Sequence, residues 1–306
     1  MGRKVSIIGA GKVGATTAHL IALKGLADVV IVNRTAGTAQ GIALDIREGM
    51  PIEGLDVNVA GSGDYSAIAG SDIVVVTAGA QRKEGMSRDD LLKINSQIVS
   101  EAAGAIKQHA PDSIVIVVTN PLDAMAYLMM RNTGFSKSRV IGMAGALDSS
   151  RFAAFIAEEL RISVKEVSTM ILGSHGDSMV PLISQTTAKG EQVSKLIEKE
   201  KLDRIIARAR DGGAEIIKLE QSSAYYAPAS SVVSMVEAVL KDSKKVIPCS
   251  AYLEGEYGHS GIFLGVPVML GRGGIEKIMV LEVSDAEKKA LDESASKISA
   301  MISQIG

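Results

Sequence analysis

Two groups of residues in this 306-residue chain have types and spacing suited to chemistry. The first is Gly9-Ala10-Gly11-Lys12-Val13-Gly14, which directly follows the apolar run VSII and opens a helical pattern. Between a strand and a helix, the spacing G-x-G-x-x-G suits a dinucleotide. Gly9 permits the tight turn, Gly11 admits a pyrophosphate to the backbone, and Gly14 lets helix and strand pack closely. The helix N-terminus adds N–H groups and positive potential. The second group surrounds His175 in Gly-Ser-His-Gly-Asp. Imidazole titrates near neutrality without perturbation, which a group that takes and returns a proton requires. The other three histidines fit such a role less well: His19 lies in a helical pattern, His109 in a connection before Asp112, and His259 in a Gly-rich loop. Since a lone histidine is more often structural, the residues alone leave that alternative open.

About twenty residues after the glycines, the run VVIV ends in Asn33-Arg34-Thr35. A dinucleotide-binding unit normally offers Asp or Glu there to the adenosine ribose 2'-hydroxyl. Without that carboxylate a 2'-phosphate meets no repulsion, and Arg34 and Thr35 can donate hydrogen bonds to it. The expected cofactor is therefore NADP ahead of NAD. In the other reading Arg34 is solvated, Asn33 bonds the ribose, and NAD is used.

Positioning these residues requires a layered scaffold. VSII (5 to 8), VVIV (29 to 32), DIVVVT (72 to 77), IVIVVT (114 to 119) and RVIGM (139 to 143) are apolar on both faces. That is the pattern of a parallel sheet covered by helices on each side. Between them, TTAHLIALKG (16 to 25) and LLKINSQIVSEAAGAIKQ (91 to 108) read as crossover helices. The expected fold class is α/β, a Rossmann-type doubly wound parallel sheet over residues 1–144. From residue 145 to 306 longer amphipathic segments (150 to 160, 202 to 219) and a strand-rich stretch (250 to 271) predict a mixed α+β substrate domain. No Pro/Ser-rich linker separates the halves, so the two are expected to share a packed interface. The stretch from Asp285 to Gly306 reads as a C-terminal helix with Leu291, Ala295, Ile298, Met301, Ile302 and Ile305 as its apolar stripe.

Composition narrows the partners. With 33 Lys+Arg against 35 Asp+Glu, interspersed, there is no basic field for nucleic acid or acidic membranes. A small neutral or anionic molecule fits better. Cys249 is the single cysteine, so no intrachain disulfide forms and a cytoplasmic location is expected. No apolar run reaches the ~20 residues that span a bilayer. No Cys/His cluster has metal-ligand spacing, and no metal is expected.

Further motifs occur in order: GIALDI around Asp45, TAGAQRKEGMSR (77 to 88), VTNPLDAM (118 to 125), LDSSRF (147 to 152), GSHGDSMVP (173 to 181) and SAYYAPA (223 to 229). With the glycine motif they make the chain resemble the lactate/malate dehydrogenase superfamily over essentially its whole length. Within it, the chain is most similar to the lactate-dehydrogenase-like malate dehydrogenases. The resemblance implies reversible hydride transfer between C4 of a nicotinamide and C2 of a small 2-hydroxy acid, with malate and oxaloacetate as the expected pair. A lactate or other 2-hydroxy acid dehydrogenase is the alternative, and a nucleotide-binding sensor without catalysis a remoter one.

The resemblance also implies roles. His175 is the acid-base group and Asp148 its partner, fixing the tautomer and stabilising the imidazolium. From the residues alone, Asp148 ahead of Ser149-Ser150 reads as a helix N-cap. Arg151, three residues on and sharing a helical face with Asp148, becomes a bidentate clamp on the substrate C1 carboxylate. A surface ion pair is its alternative. The Gly79 to Arg88 stretch becomes a lid in which Arg88 polarises the substrate carbonyl and Arg82 meets the second carboxylate. Were the alignment shifted by one residue, Gln81 would take that position and lactate would be the substrate. Asn120 would touch substrate and nicotinamide ribose, with Asn95, Val118 and Thr119 as further cofactor contacts. The sequence departs from the pattern at Asn33, where an acid is usual, and at Ser174, where many lactate dehydrogenases have Glu. A homodimer or homotetramer is implied.

Overall fold

The computed structural model describes residues 2–80 and 87–305. In the first half, β1 (Lys4–Ile8), α1 (Lys12–Leu23), β2 (Asp28–Val32), α2 (Ala36–Gly49), β3 (Val59–Ser62), β4 (Ile73–Val76), α3 (Arg88–His109), β5 (Ile114–Val117), α4 (Leu122–Thr133) and β6 (Val140–Gly142) alternate. The strands pair in parallel in the order β3-β2-β1-β4-β5-β6. This is the doubly wound arrangement that the apolar runs predict. Alternate residues of one strand enter opposite cores: Ile73, Val75, Ile114 and Ile116 face one side, Val74, Val76, Val115 and Val117 the other. Burial on both faces is why these strands show no polar alternation.

The second half contains α5 (Gly145–Leu160), β7 (Val167–Ser168), β8 (Ile171–Gly173), β9 (Met179–Pro181), β10 (Thr187–Ala188), β11 (Glu191–Gln192), α6 (Val193–Leu196), α7 (Lys199–Glu220), α8 (Tyr226–Leu240), β12 (Lys245–Glu254), β13 (Ser260–Gly271), β14 (Gly274–Ile278) and α9 (Asp285–Gln304). Its long strands do not form a separate sheet. They extend the first through β6-β12-β13-β8-β9, with Gly142 opposite Ser250 at the junction. The junction is tight, since a Cβ on Gly142 would fall 2.7 Å from the Cβ of Ser250. The shared sheet, together with α8 buried in the same core as α1, gives the packed interface that the missing linker suggests. On α9, Leu291, Ala295 and Ile298 are buried and Met301 and Ile302 are half-buried, as the stripe predicts.

Two elements carry no strong sequence signal. β3 reads VAGS, with one large apolar residue, and α2 contains three glycines. Both exist because tertiary packing supplies what propensity lacks: Ala39, Ala43 and Ile46 of α2 and Val59 of β3 are buried in the core. No helix among the described residues is long and apolar enough to cross a membrane.

Candidate functional site

The glycine motif forms a cradle between β1 and α1. Gly9 has φ +114°, and its N–H donates to Val32 O at 2.8 Å, so the turn is fixed against the end of β2. A Cβ on Gly14 would lie 2.0 Å from Gly9 O, which only a hydrogen permits. At Gly11, by contrast, a Cβ would meet nothing within 4 Å. Gly11 is the N-cap of α1, with no side-chain cap and no acid in the first turn. The absent side chain therefore leaves space, and the first-turn N–H groups of Lys12, Val13 and Gly14 need partners from outside the helix. These features fit a pyrophosphate. Lys12 leans away toward the second half of the chain, where Nζ donates to Ser222 Oγ at 2.8 Å and lies 5.0 Å from the centre of the Tyr225 ring.

At the end of β2, Asn33 Oδ1 accepts from Ala10 N–H at 3.3 Å and Nδ2 donates to Thr35 O at 3.2 Å. Arg34 and Thr35 are exposed. Thr35 is also the N-cap of α2, again with no side-chain cap and no acid in the first turn. The sequence reading misses this second helix N-terminus, which adds positive potential beside Arg34.

Strands β4 and β5 lead into Thr77 to Ala80 and Val118 to Asn120. Thr119 is buried and its hydroxyl donates to Ala78 O at 2.6 Å, while Val118 N–H donates to Val76 O. Asn95 of α3 is also buried. Its Oδ1 accepts from Ala80 N–H and its Nδ2 donates to Asn120 O, each at 2.7 Å. Asn95 thus ties the start of the expected lid, at Ala80, to the segment expected to meet the nicotinamide, and Asn120 at the end of that segment stands exposed before α4. Arg82 and Gln81 lie outside the described residues. Arg88 is the first residue of α3, and its side chain too lies outside the described part. Ser87 caps this helix: its Oγ accepts from Asp90 N–H at 3.0 Å and its N–H donates to Asp90 Oδ2 at 3.1 Å.

His175 occupies the turn after β8. Its Nδ1 is 2.9 Å from Asp148 Oδ2. The other oxygen of Asp148, Oδ1, is 3.7 Å from Arg151 Nη1. The capping role that Asp148 offers on residues alone is not what the structure shows, because α5 starts earlier, with Ala144 as N-cap. Gly145 makes this earlier start possible, since a Cβ there would lie 2.5 Å from Ile171 O of β8. Ser149 Oγ then accepts from Ile171 N–H at 3.0 Å, tying the helix that carries Asp148 to the strand that leads into His175. Arg151 is no surface ion pair: its side chain is 14% exposed and that of Asp148 3%. Burial works against the imidazolium of His175, but the charge and hydrogen bond of Asp148 outweigh it. Aided by Asp123 and opposed by Arg151, they leave the ring more basic than usual.

The profile described as lactate/malate dehydrogenase, NAD binding domain, matches residues 3–142, and that of the lactate/malate dehydrogenase alpha/beta C-terminal domain matches residues 145–305. The chain belongs to the lactate/malate dehydrogenase family. The malate dehydrogenase of Bacillus cytotoxicus is 52% identical over 299 residues, covering 97% of this chain and 96% of that protein. Among solved structures, the malate dehydrogenase of Cryptosporidium parvum matches with a TM-score of 0.97 at 40% identity, over 100% of this chain and 99% of that one. The lactate dehydrogenase of Cryptosporidium parvum, solved with lactic acid and nicotinamide adenine dinucleotide, matches with a TM-score of 0.96 at 38% identity, over 100% and 98%. Since structures of both activities superpose this well, the lactate/malate dehydrogenase fold does not by itself choose between the two substrates.

Two residues of the site are not apparent from the sequence. Asp123, three residues after Asn120, looks like a carboxylate placed to suit a helix N-terminus, yet it is 2% exposed and bonded to Ser174 and Ser250. Gly212 of α7 is missed too; a Cβ there would lie 3.3 Å from Arg151 Cδ. Asp123 lies within the VTNPLDAM motif, which does not expose its role, and Gly212 lies in no motif.

Proposed function

We infer that the chain interconverts malate and oxaloacetate with a nicotinamide cofactor. The observation that carries this reading is the pairing of half-buried His175 with buried Asp148, with Arg151 at the opposite oxygen, in a chain half identical to malate dehydrogenases. A bound nicotinamide would supply the hydride acceptor for malate and the hydride donor for oxaloacetate. With Nδ1–H donating to Asp148, His175 Nε2 carries the lone pair that takes the hydroxyl proton as hydride leaves C2. In reduction the imidazolium gives that proton back. Arg151 pairs with the C1 carboxylate, Arg82 with the second carboxylate, and Arg88 stabilises negative charge on the C2 oxygen. Residues 1–144 hold the nucleotide through Gly9 to Gly14, Asn120 and the segments braced by Asn95, and residues 145–306 supply Asp148, Arg151 and His175.

The cofactor is NADP(H) ahead of NAD(H). Support comes from the missing carboxylate at Asn33, the exposed Arg34 and the uncapped N-terminus of α2. We place the enzyme in the cytoplasm as a homodimer or homotetramer. The test is kcat/KM for oxaloacetate with NADPH and with NADH, with pyruvate as control substrate. Oxaloacetate strongly preferred over pyruvate, with NADPH over NADH, is the expected result. Preference for pyruvate overturns the substrate, and preference for NADH overturns the cofactor.

A further inference from the structure

Behind His175 lies a polar cluster that the reaction above does not use. Asp123 Oδ2 accepts from Ser174 Oγ at 2.8 Å, and Oδ1 accepts from Ser250 Oγ at 2.6 Å. The backbone N–H of His175 also acts on this carboxylate, favouring its charged form. Ser174 N–H donates to Ser294 Oγ at 2.8 Å, and Ser250 and Ser294 are fully buried. Thus α4, β12 and α9 each send a side chain into one network that ends on Ser174 and His175. For stability alone this is a poor design, because apolar residues of similar volume often serve as well as a buried charge or better.

The geometry of the turn explains what the network supplies. Asp148 fixes the rotation of the His175 ring through Nδ1, but it does not hold the backbone. That backbone is flanked by Gly173 (φ +83°) and Gly176 (φ +99°), residues with more conformational freedom than any other. Restraint comes from two sides: Ser294 of α9 holds the Ser174 N–H, and Asp123, in the first turn of α4 just after Asn120 and Pro121, holds the Ser174 hydroxyl.

We propose that Asp123 is a positioning residue for His175: it locks the Ser174-His175 backbone to the helix beginning beside Asn120, so that proton transfer and hydride transfer keep one geometry. The proposal rests on the acid-base reading of His175. The charged groups acting on the imidazole, among the described residues, are Asp148 and Arg151 from α5 and Asp123 from α4. Burial raises the Asp123 carboxyl above the usual range, while the two hydroxyls, the His175 charge and the His175 N–H act in the opposite sense. Reciprocally, the Asp123 charge favours the imidazolium.

Two variants test this. Asp123→Asn keeps the size and removes the charge; Ser174→Ala removes one hydroxyl and keeps the carboxylate. Since a displacement of an ångström costs about a hundredfold in rate, each should slow single-turnover hydride transfer by roughly tenfold to a hundredfold. The Kd for the reduced dinucleotide should stay at the parental value, while Ser174→Ala, which leaves a buried carboxylate oxygen without its partner, should lower Tm yet remain folded at the assay temperature. Followed by NMR, the ring of His175 should titrate at lower pH in Asp123→Asn. The double variant should lose little more than the worse single one, since both act through one contact. The proposal is overturned if Ser174→Ala transfers hydride at the parental rate, or if the variants lose rate only in proportion to their folded fraction. It is also overturned if His175 titrates in folded Asp123→Asn as in the parent. Should Asp123→Asn not fold, Ser174→Ala decides alone. If His175 were not the acid-base group, its titration would still move in Asp123→Asn while hydride transfer did not, so the two failures are distinguishable.

Discussion

Replacing Asp148 by Asn isolates the charge behind the acid-base step. The amide is the same size, and its oxygen can still accept from His175 Nδ1, so the ring keeps its orientation. What disappears is a carboxylate 2.9 Å from Nδ1, on a side chain only 3% exposed, where solvent screens little. A hydrogen bond to a charged group contributes about 1.5 to 3 kcal/mol, which corresponds to roughly 10- to 150-fold in rate. That is the expected loss in kcat/KM for oxaloacetate reduction at neutral pH. The reaction equilibrium belongs to the substrates, so with nucleotide affinity unchanged malate oxidation must fall by the same factor at the same pH. The pH profiles carry the signature. The His175 ring is more basic than usual because Asp148 outweighs burial. Reduction needs the imidazolium and is lost as pH rises through its pKa; oxidation needs the neutral ring and is gained over the same range. Without the carboxylate, burial and Arg151 act unopposed by it, and both inflections move to lower pH. The deficit in reduction should therefore narrow as the pH is lowered. Initial rates from pH 5 to 10 in both directions give the answer. Parental kcat/KM at neutral pH, or inflections at the parental pH, would mean that the Asp148 charge does not act on His175.

The cradle predicts a contrast between two glycines. Gly11→Ala adds a Cβ that meets no protein atom, so Tm should hold while dinucleotide affinity falls at least tenfold in fluorescence titration. Gly14→Ala places a Cβ 2.0 Å from Gly9 O, and the folded yield itself should drop. Gly212→Ala should hold or raise Tm, because alanine is better than glycine in a helix by about 1 kcal/mol. It should nonetheless raise KM for oxaloacetate severalfold by pressing on Arg151, whose Cδ would lie 3.3 Å from the new Cβ; unchanged KM would detach Gly212 from the substrate clamp. Arg34→Ala should lower kcat/KM with NADPH by about tenfold or more, the loss of one charge-assisted hydrogen bond to a phosphate, and leave NADH unaffected. Equal loss with both cofactors would mean that Arg34 does not read the 2'-phosphate.

Much of the fold was legible because physical periodicity and chemistry coincide in this chain. Runs such as IVVV and IVIV are apolar on both faces, and glycines mark the turn between β1 and α1. The helices α2 and the strand β3 were harder to see, since their stability comes from the core they fill and not from their own composition. In the site, His175 stood out by residue type, and its partner Asp148 only by family resemblance. Local rules pointed Asp148 to a helix cap, and that failed because Gly145 lets α5 begin earlier against Ile171. Asp123 was illegible for a related reason: an acid in a first helical turn is ordinarily a solvated partner of the helix dipole. Only Ser250 of β12 and Ser174 of the turn after β8, 127 and 51 residues away, turn it into a buried bridge.

Everything in the proposed reaction depends on His175 moving the proton. The most direct measurement is kcat for oxaloacetate reduction and malate oxidation in His175→Asn, with the dinucleotide Kd measured on the same preparation. General acid-base catalysis contributes roughly 10²- to 10⁴-fold, so turnover should fall by that much in both directions while the Kd stays within twofold of the parent. Turnover retained near the parental rate, with nucleotide bound normally, would contradict the account.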